Sequence, residues 1–600
     1  MPRSKVCSAR SRRFRLALLA GLHPLFFLPF AAQYASAQAP YLGSQGGEPG
    51  RGIASSPCGL GAGLGIAGVS SGTANASSYT AQAAAPGPGG GGEGGSPAGS
   101  PSGGGGASGG PGAQQPSGRI QPWALSVSLN ETLTNNVNLT SSATAQGDLV
   151  SVITPQLEIN EQGARTCLRG VIAAPAALYV KTGSENNQIY PSANLLGNAD
   201  LWERVLFIDG AVLVSQQFLN PFGSQPADLS NATQNRYTSA NYRVSPYAKG
   251  TTSNGIQYEV RNNNTWTNLS GAPISTNNAY YDEWLVKAAS PVARVGWSFD
   301  YDWNNVKFNN QPPLITELTR ASVLYIVDPG LRVSADGGYE DNRYTFADYR
   351  DAIYGVGAQW HPTPRTNLIA NWEHRFFGSS YLVGFDHHTP LSAVSAQFSR
   401  NITSYPQHFL TLPATSNVPL LLNLILFSRF PDPAQREQIV DAIISERGLP
   451  TSLSGPVNLY TQQIYLQESG NVTLGLLGAR NVVLLLGYYL RTEAITGAGN
   501  TLPPGLAGLN DNTQKGVTLT WTHNLTPMLI LTTTANYAQT DAIAPRTGKT
   551  DQGIVSVRVT TPLSPTTTVF AGARYQQLNS NLTNDYTEAA VFAGINYIFK

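Results

Sequence analysis

The chain is predicted to be all-β, a large transmembrane antiparallel β-barrel with a disordered Gly-rich N-terminal extension. Three observations predict this: a low charge density, apolar and polar residues alternating over spans of about ten residues, and no apolar run after the first forty residues long enough for a membrane helix. Only 12% of the 600 residues are charged, against roughly 25% in soluble domains, while 41% are hydrophobic and the mean hydropathy is -0.16. The 37 basic and 36 acidic residues cancel to +1, so nothing in the net charge favours nucleic acid, and no such partner is expected. With 61 Gly, 40 Pro, 27 Tyr and 9 Trp, the composition favours turns and aromatic-rich strands over helices.

The N-terminal segment, residues 1–37, reads as an export signal. Arg12, Arg13 and Arg15 form a basic region, Leu16 to Phe30 is apolar but broken by Pro24 and Pro29, and Ala35-Ser36-Ala37 supplies small residues for cleavage. Of the three cysteines, Cys58 and Cys167 would remain in the mature chain and could form at most one disulfide in an oxidising compartment. Residues 38–118 form the extension. Between Gly87 and Gly118 sixteen of thirty-two residues are Gly and the only charge is Glu93, which leaves no apolar surface to offset the entropy of ordering.

Residues 119–600 carry the barrel pattern. In Val292–Asn304, Ala293, Val295, Trp297, Phe299, Tyr301 and Trp303 occupy one parity and Arg294, Gly296, Ser298, Asp300, Asp302 and Asn304 the other. Alternate side chains of a strand point to opposite faces, so this run has a greasy face and a polar one. Leu331–Glu340, Ala352–Trp360 and Val569–Gln576 repeat the arrangement. A soluble sandwich would alternate too, but three features favour a barrel. Trp284, Trp303, Trp360, Trp372, Tyr575 and Tyr597 fall near expected strand ends, where interfacial aromatic girdles belong. Short turns such as Asp328-Pro329-Gly330 contrast with longer polar loops at Phe218–Arg236 and Thr496–Thr513. The chain closes on Gly594, Tyr597 and Phe599 in a Gly-x-x-aromatic-x-aromatic pattern, which looks like the insertion signal of bacterial outer-membrane proteins, though Lys600 follows the last aromatic. Pairing the alternating runs across the short turns gives about 22 strands, within a range of roughly 18 to 24. Outer-membrane lipid and the barrel-assembly machinery are the partners expected of such a chain, in the cell outer membrane of a Gram-negative bacterium.

A barrel of that size is too wide for wall side chains to fill. The candidate for folding inward is the long interruption 402–457. Asp432-Pro433 provides an N-cap and first-turn proline, Ile439, Val440, Ile443 and Ile444 form an apolar stripe, and Gly448 with Pro450 ends it. A helix is predicted over Pro433–Arg447, and the preceding apolar stretch Leu420–Phe427 requires burial against the barrel wall or in its mouth. The loop is expected to constrict or cap the lumen.

Trp360-His361-Pro362-Thr363-Pro364-Arg365-Thr366, followed by Glu373-His374-Arg375-Phe376-Phe377-Gly378 and Tyr381, is similar to the outer-membrane β-barrel proteins associated with the PEP-CTERM/exosortase system. Phe430-Pro431-Asp432-Pro433, Arg436 and Gly448-Leu449-Pro450 resemble that family's helical loop, and Ile153-Thr154-Pro155 its opening strand. The resemblance spans roughly 121–599 and departs at His387-His388, where His-Arg is more usual. It implies an association with exopolysaccharide production or surface export, with exopolysaccharide and its export components as partners, and no defined reaction.

The polar parity supplies the candidate lumen-lining residues: Glu259, Arg261, Arg294, Asp300, Asp302, Arg332, Asp336, Asp351, Glu373, Arg375 and Arg574. Their mixed signs predict no strong ion preference. They read either as lateral ion-pair ladders holding strand register, or as a hydrogen-bonding track for a neutral or weakly charged glycan. Catalysis has little support, because none of the seven His lies in a nucleophile motif, and adjacent His387 and His388 must face opposite sides of a strand. No cofactor, metal or catalytic residue is expected. The function expected is a pore or export conduit; the alternatives are a non-conducting structural or adhesive barrel with partner-binding loops, and an outer-membrane barrel hydrolase.

Overall fold

The computed structural model describes residues 122–599 except 204, 272–277, 292–293, 310, 345–346, 405–417, 452, 458–462, 496–510 and 545. The export signal, Cys58 and the Gly-rich extension lie outside the described residues, whereas Cys167 is described and is disulfide-bonded. A single antiparallel sheet closes on itself: the first strand, Trp123–Thr134, pairs with the last, Tyr586–Phe599, from Leu125 opposite Phe599 to Thr134 opposite Ala590. One barrel strand is broken around Pro175, where Thr166–Ala173 and Ala176–Tyr179 both pair with Asp148–Gln162. Proline has no amide hydrogen to give a ladder, so the break falls where the ladder loses least. Counted around the barrel, there are 22 strands, the number the alternation predicted. Closure leaves no unpaired edge, and in hydrocarbon that is the condition for a sheet to exist at all.

All the longer connections lie at one end. At the other, turns run from 329–330 to 525–529, and the first strand begins and the last ends there. The helical loop, 404–464, springs from the loop end between Ser392–Thr403 and Tyr465–Leu477.

The outer wall is apolar. Tyr339, Tyr354, Tyr537 and Tyr575 are exposed in a band near the loop end, and Trp297, Tyr325, Trp360 and Tyr597 in a second band near the turn end. Between the bands, Val323, Val555 and Val557 are also exposed. In water such a surface would drive aggregation; facing acyl chains it is at equilibrium. A closed barrel with two aromatic girdles and an apolar waist spans the outer membrane of a Gram-negative cell. Tyr597 and Phe599 belong to this outer surface, their rings 5.0 Å apart. Gly594 faces inward, where a Cβ would lie 2.4 Å from the Phe570 ring, so glycine there makes room for an aromatic of the neighbouring strand.

Val557 sits at mid-height on the strand Lys549–Ser564. Replacing it with Arg is expected to destabilise the folded barrel by about 2–4 kcal/mol, measured by reversible urea unfolding in lipid vesicles, whereas Arg at the inward neighbour Ser556 should cost far less.

Candidate functional site: the lumen and its inserted loops

On the arc from Leu206–Phe218 to Thr366–Arg375 the inner wall is charged and pairs with itself. Arg261 donates from Nη1 to Asp209 Oδ2 at 2.7 Å and from Nε to Glu259 Oε1 at 2.8 Å, with its guanidinium 3.7 Å above the Tyr247 ring. Arg320 reaches Glu373 Oε1 at 2.8 Å although two strands separate them; those strands present Gly338 opposite Arg320 and Gly355 opposite Glu373, so bare backbone lies beneath the reach. Arg375 donates to Glu340 Oε2 at 2.6 Å, while the Phe376 amide fills the other oxygen. These are buried, hydrogen-bonded pairs, in which removing one partner is far more damaging than the pair is stabilising. They tie non-adjacent strands and so extend the expected ladder beyond nearest neighbours.

The other candidates are placed as follows. Asp300 and Asp302 face inward on Val295–Phe308, with Asp300 in register between Lys287 and Arg320. Asp336 faces inward with both carboxylate oxygens buried and no hydrogen bond to protein. Arg332 is half-buried near the turn end, and Asp351 lies 3.8 Å from His374 Nε2 toward the loop end. Arg294 is in the turn before Val295 and donates to the Tyr325 hydroxyl at 3.1 Å, on the outer wall rather than in the lumen.

Arg574 belongs to a different assembly, one that sequence reasoning did not reveal. The loop 219–235 folds into the lumen, and Arg574 holds it through Asp228, Asn231 Oδ1 at 2.9 Å and wall residue Glu588 at 2.8 Å. Gln576 donates to the same Asn231 oxygen at 3.0 Å. Leu229 and Ala232 pack with Val137, Val150, Val152, Ala177, Tyr179 and Tyr190, an apolar patch on the inner wall. Burial alone would push the Asp228 carboxyl up, but Arg574 and the Ser230 hydroxyl and amide outweigh it and hold it below its ordinary value.

The helical loop takes the opposite arc. The helix Pro433–Arg447 forms as expected, with Val440 buried and Ile439, Ile443 and Ile444 packed beside it. The stretch before it is also a helix, Val418–Leu426, where the sequence predicts only burial. Its Leu421, Leu422, Ile425 and Leu426 bury against Ala393, Val482, Leu484 and Leu486 of the inner wall. Ala393 and Val482 adjoin the turn end, and Arg447 donates to the carbonyl of Ala479 in a turn there, so the loop descends the height of the lumen. Against a water-filled lumen, each of these side chains would contribute about 1.5–3 kcal/mol to holding the helix down. The signal was present in the sequence: in Asn481–Ala494 the run Val482–Leu486 is apolar on both parities, and a strand greasy on both faces has one face covered by protein.

Inserted segments have no ladder, so side chains from the wall satisfy their backbone. Gln514 accepts from Val457 N at 2.7 Å and donates to Val457 O at 3.0 Å; Thr518 donates to Ser454 O, Gln552 to Gln225 O and Thr550 to Phe222 O. Phe218, at the loop end of the strand Leu206–Phe218, and Val457, in the tail of the helical loop, bury against each other.

The histidines diverge as strand parity requires. His387 shares a hydrogen bond with Thr366 Oγ1 at 2.9 Å, His388 stands edge-on to Phe427 at 5.6 Å, and Asp386 accepts from Ser395. Among the described residues no group of three or more His, Cys, Asp or Glu could hold a metal ion.

No protein-family model and no curated protein matches this chain. Among solved structures it is similar to the siderophore receptor PirA from Pseudomonas aeruginosa (9% identity, 79% of this chain and 80% of that one, TM-score 0.39) and to the FrpB iron transporter from Neisseria meningitidis (8%, 80% and 82%, TM-score 0.43). The ferric citrate transporter FecA scores alike (9%, 80% and 79%, TM-score 0.39). Likenesses this distant carry nothing about cargo.

Replacing Arg574 with Met should destabilise the barrel by about 3–5 kcal/mol, because Asp228 and Glu588 are left buried without their cation; chemical denaturation of the purified protein checks it. Since the Asp228 carboxyl is depressed, its share of the loop's stability is present above the ordinary Asp value and lost as pH falls through the lower folded value. Acid exposure of the loop to protease should therefore be blunted in Asp228→Asn.

Proposed function

We propose that this chain is a pore or export conduit of the outer membrane that serves the production or export of surface polysaccharide, with the helical loop as its constriction. The observation that carries the reading is the placement of Val418–Leu426 and Pro433–Arg447 inside the lumen, against the apolar inner face of Asn481–Ala494. A barrel with no traffic needs no such narrowing, whereas a conduit of this width needs one to keep smaller solutes from leaking. The glycan assignment is supported by the resemblance in Trp360–Tyr381 and Phe430–Pro450, and by the uncharged inner wall from Ser392–Thr403 to Ile530–Ala542, which offers Gln397, Thr532 and Thr534 among its half-buried inward residues. Hydroxyls and amides can exchange hydrogen bonds with a sugar without demanding a counter-charge.

The contact of Phe218 with Val457 favours a second reading, a sealed structural barrel whose loops bind partners. Planar-bilayer recording separates the two. A conduit gives discrete conductance steps that grow severalfold when 433–447 is deleted; a sealed barrel is silent in both forms. The glycan assignment is tested separately: loss of the chain should lower surface polysaccharide, and an unchanged surface layer would sink it.

A further inference from the structure

The two-helix insertion is docked on the wall by one device and braced within itself by another. The first is the apolar inner face of Asn481–Ala494, covered by Leu421, Leu422 and Ile425. Gly475, on the adjacent strand, adds to the fit: a Cβ there would lie 2.8 Å from Leu421 Cδ2 and 3.3 Å from Ile425 Cδ1, so the helix lies on bare backbone. The second device is Arg436. It is 5% exposed, donates from Nε to Asn423 Oδ1 at 2.6 Å and from Nη1 to the carbonyls of Phe430 at 2.7 Å and Pro431 at 3.1 Å, and its guanidinium stands 5.0 Å from the Phe427 ring. One side chain from the second helix thus fastens the first helix and two residues, Phe430 and Pro431, of the bend between them. A rigid fork with several donors suits that task; a lysine ammonium on a flexible stem does not.

We infer that the two helices form a fixed constriction rather than a displaceable gate, and that Arg436 is its positioning residue. Withdrawal would put the inner face of Val482–Leu486 and the buried face of the helix into lumen water together, and Arg436, by tying the second helix to the first, keeps the hairpin from coming away one helix at a time. Passage is then limited by the form of the hairpin, not by its movement. The functional half of this inference rests on the conduit reading; the structural half does not.

Spin labels at Gln438, on the exposed side of the second helix, and Gln397, on the strand Ser392–Thr403 against which the first helix packs, are placed to read the docking by pulsed electron resonance. The intact protein in lipid vesicles should give one narrow distance population. Arg436→Met should broaden it at least twofold while the barrel keeps its heat-modifiable mobility on gels, and Arg436→Lys should not restore it. Two populations in the intact protein, or an Arg436→Met distribution as narrow as the original, would overturn the inference. In a second arm, Leu421→Cys with Gly475→Cys should crosslink on oxidation, and conductance should be equal before and after. Loss of opening events on crosslinking would show a gate. A protein silent in the bilayer but with a single distance population defeats the conduit reading alone and leaves the docking intact.

Discussion

Hydrocarbon offers no hydrogen bonds, and this constraint organises the whole molecule. It requires that the strand Trp123–Thr134 find Tyr586–Phe599 and complete the ladder. It also confines the connections to the two ends, because a segment leaving the ladder inside the membrane has to go into the lumen or out beyond the headgroups. The inserted loops meet the same demand by other means. Gln514 pairs with both polar groups of Val457 as a neighbouring strand would, and Thr518, Thr550 and Gln552 each fill one carbonyl. The wall's amides and hydroxyls are therefore extensions of the backbone network as much as lining.

The second organising force acts only on the inner surface. Apolar side chains on the outer wall gain nothing from touching each other rather than lipid, so they specify depth and little else. Inside, water restores the hydrophobic effect, and a few apolar residues suffice to place a loop. Val150, Val152 and Ala177 receive Leu229 and Ala232; Val482, Leu484 and Leu486 receive the helix Val418–Leu426. Between these two docked arcs lies the charged one, where Arg261, Arg320 and Arg375 are neutralised by carboxylates of the wall itself.

Much of this was legible in the sequence. The strand number and the parity of Val295–Trp303 follow from a period of two, and Pro433–Arg447 from its cap, stripe and stop. Such signals are local. The insertion of 219–235 depends on Asp228 meeting Arg574, 346 residues away, and no local pattern encodes that meeting. The helix Val418–Leu426 was missed for a different reason: it is apolar nearly all round, so no stripe marks it, and its partner strand carried the clearer sign. Arg294 shares the inward parity but lies in a turn, where parity no longer decides direction.

The long-reaching ion pairs have a mechanical meaning. Bonds from Arg320 to Glu373, Arg375 to Glu340 and Arg261 to Asp209 run around the circumference and span two or three strands each, as hoops do on a cask. A cylinder braced on one arc resists flattening there. When lateral pressure in the bilayer changes, the cross-section of this barrel will turn oval by yielding on the unbraced side, where the described ion pairs between wall strands join nearest neighbours only.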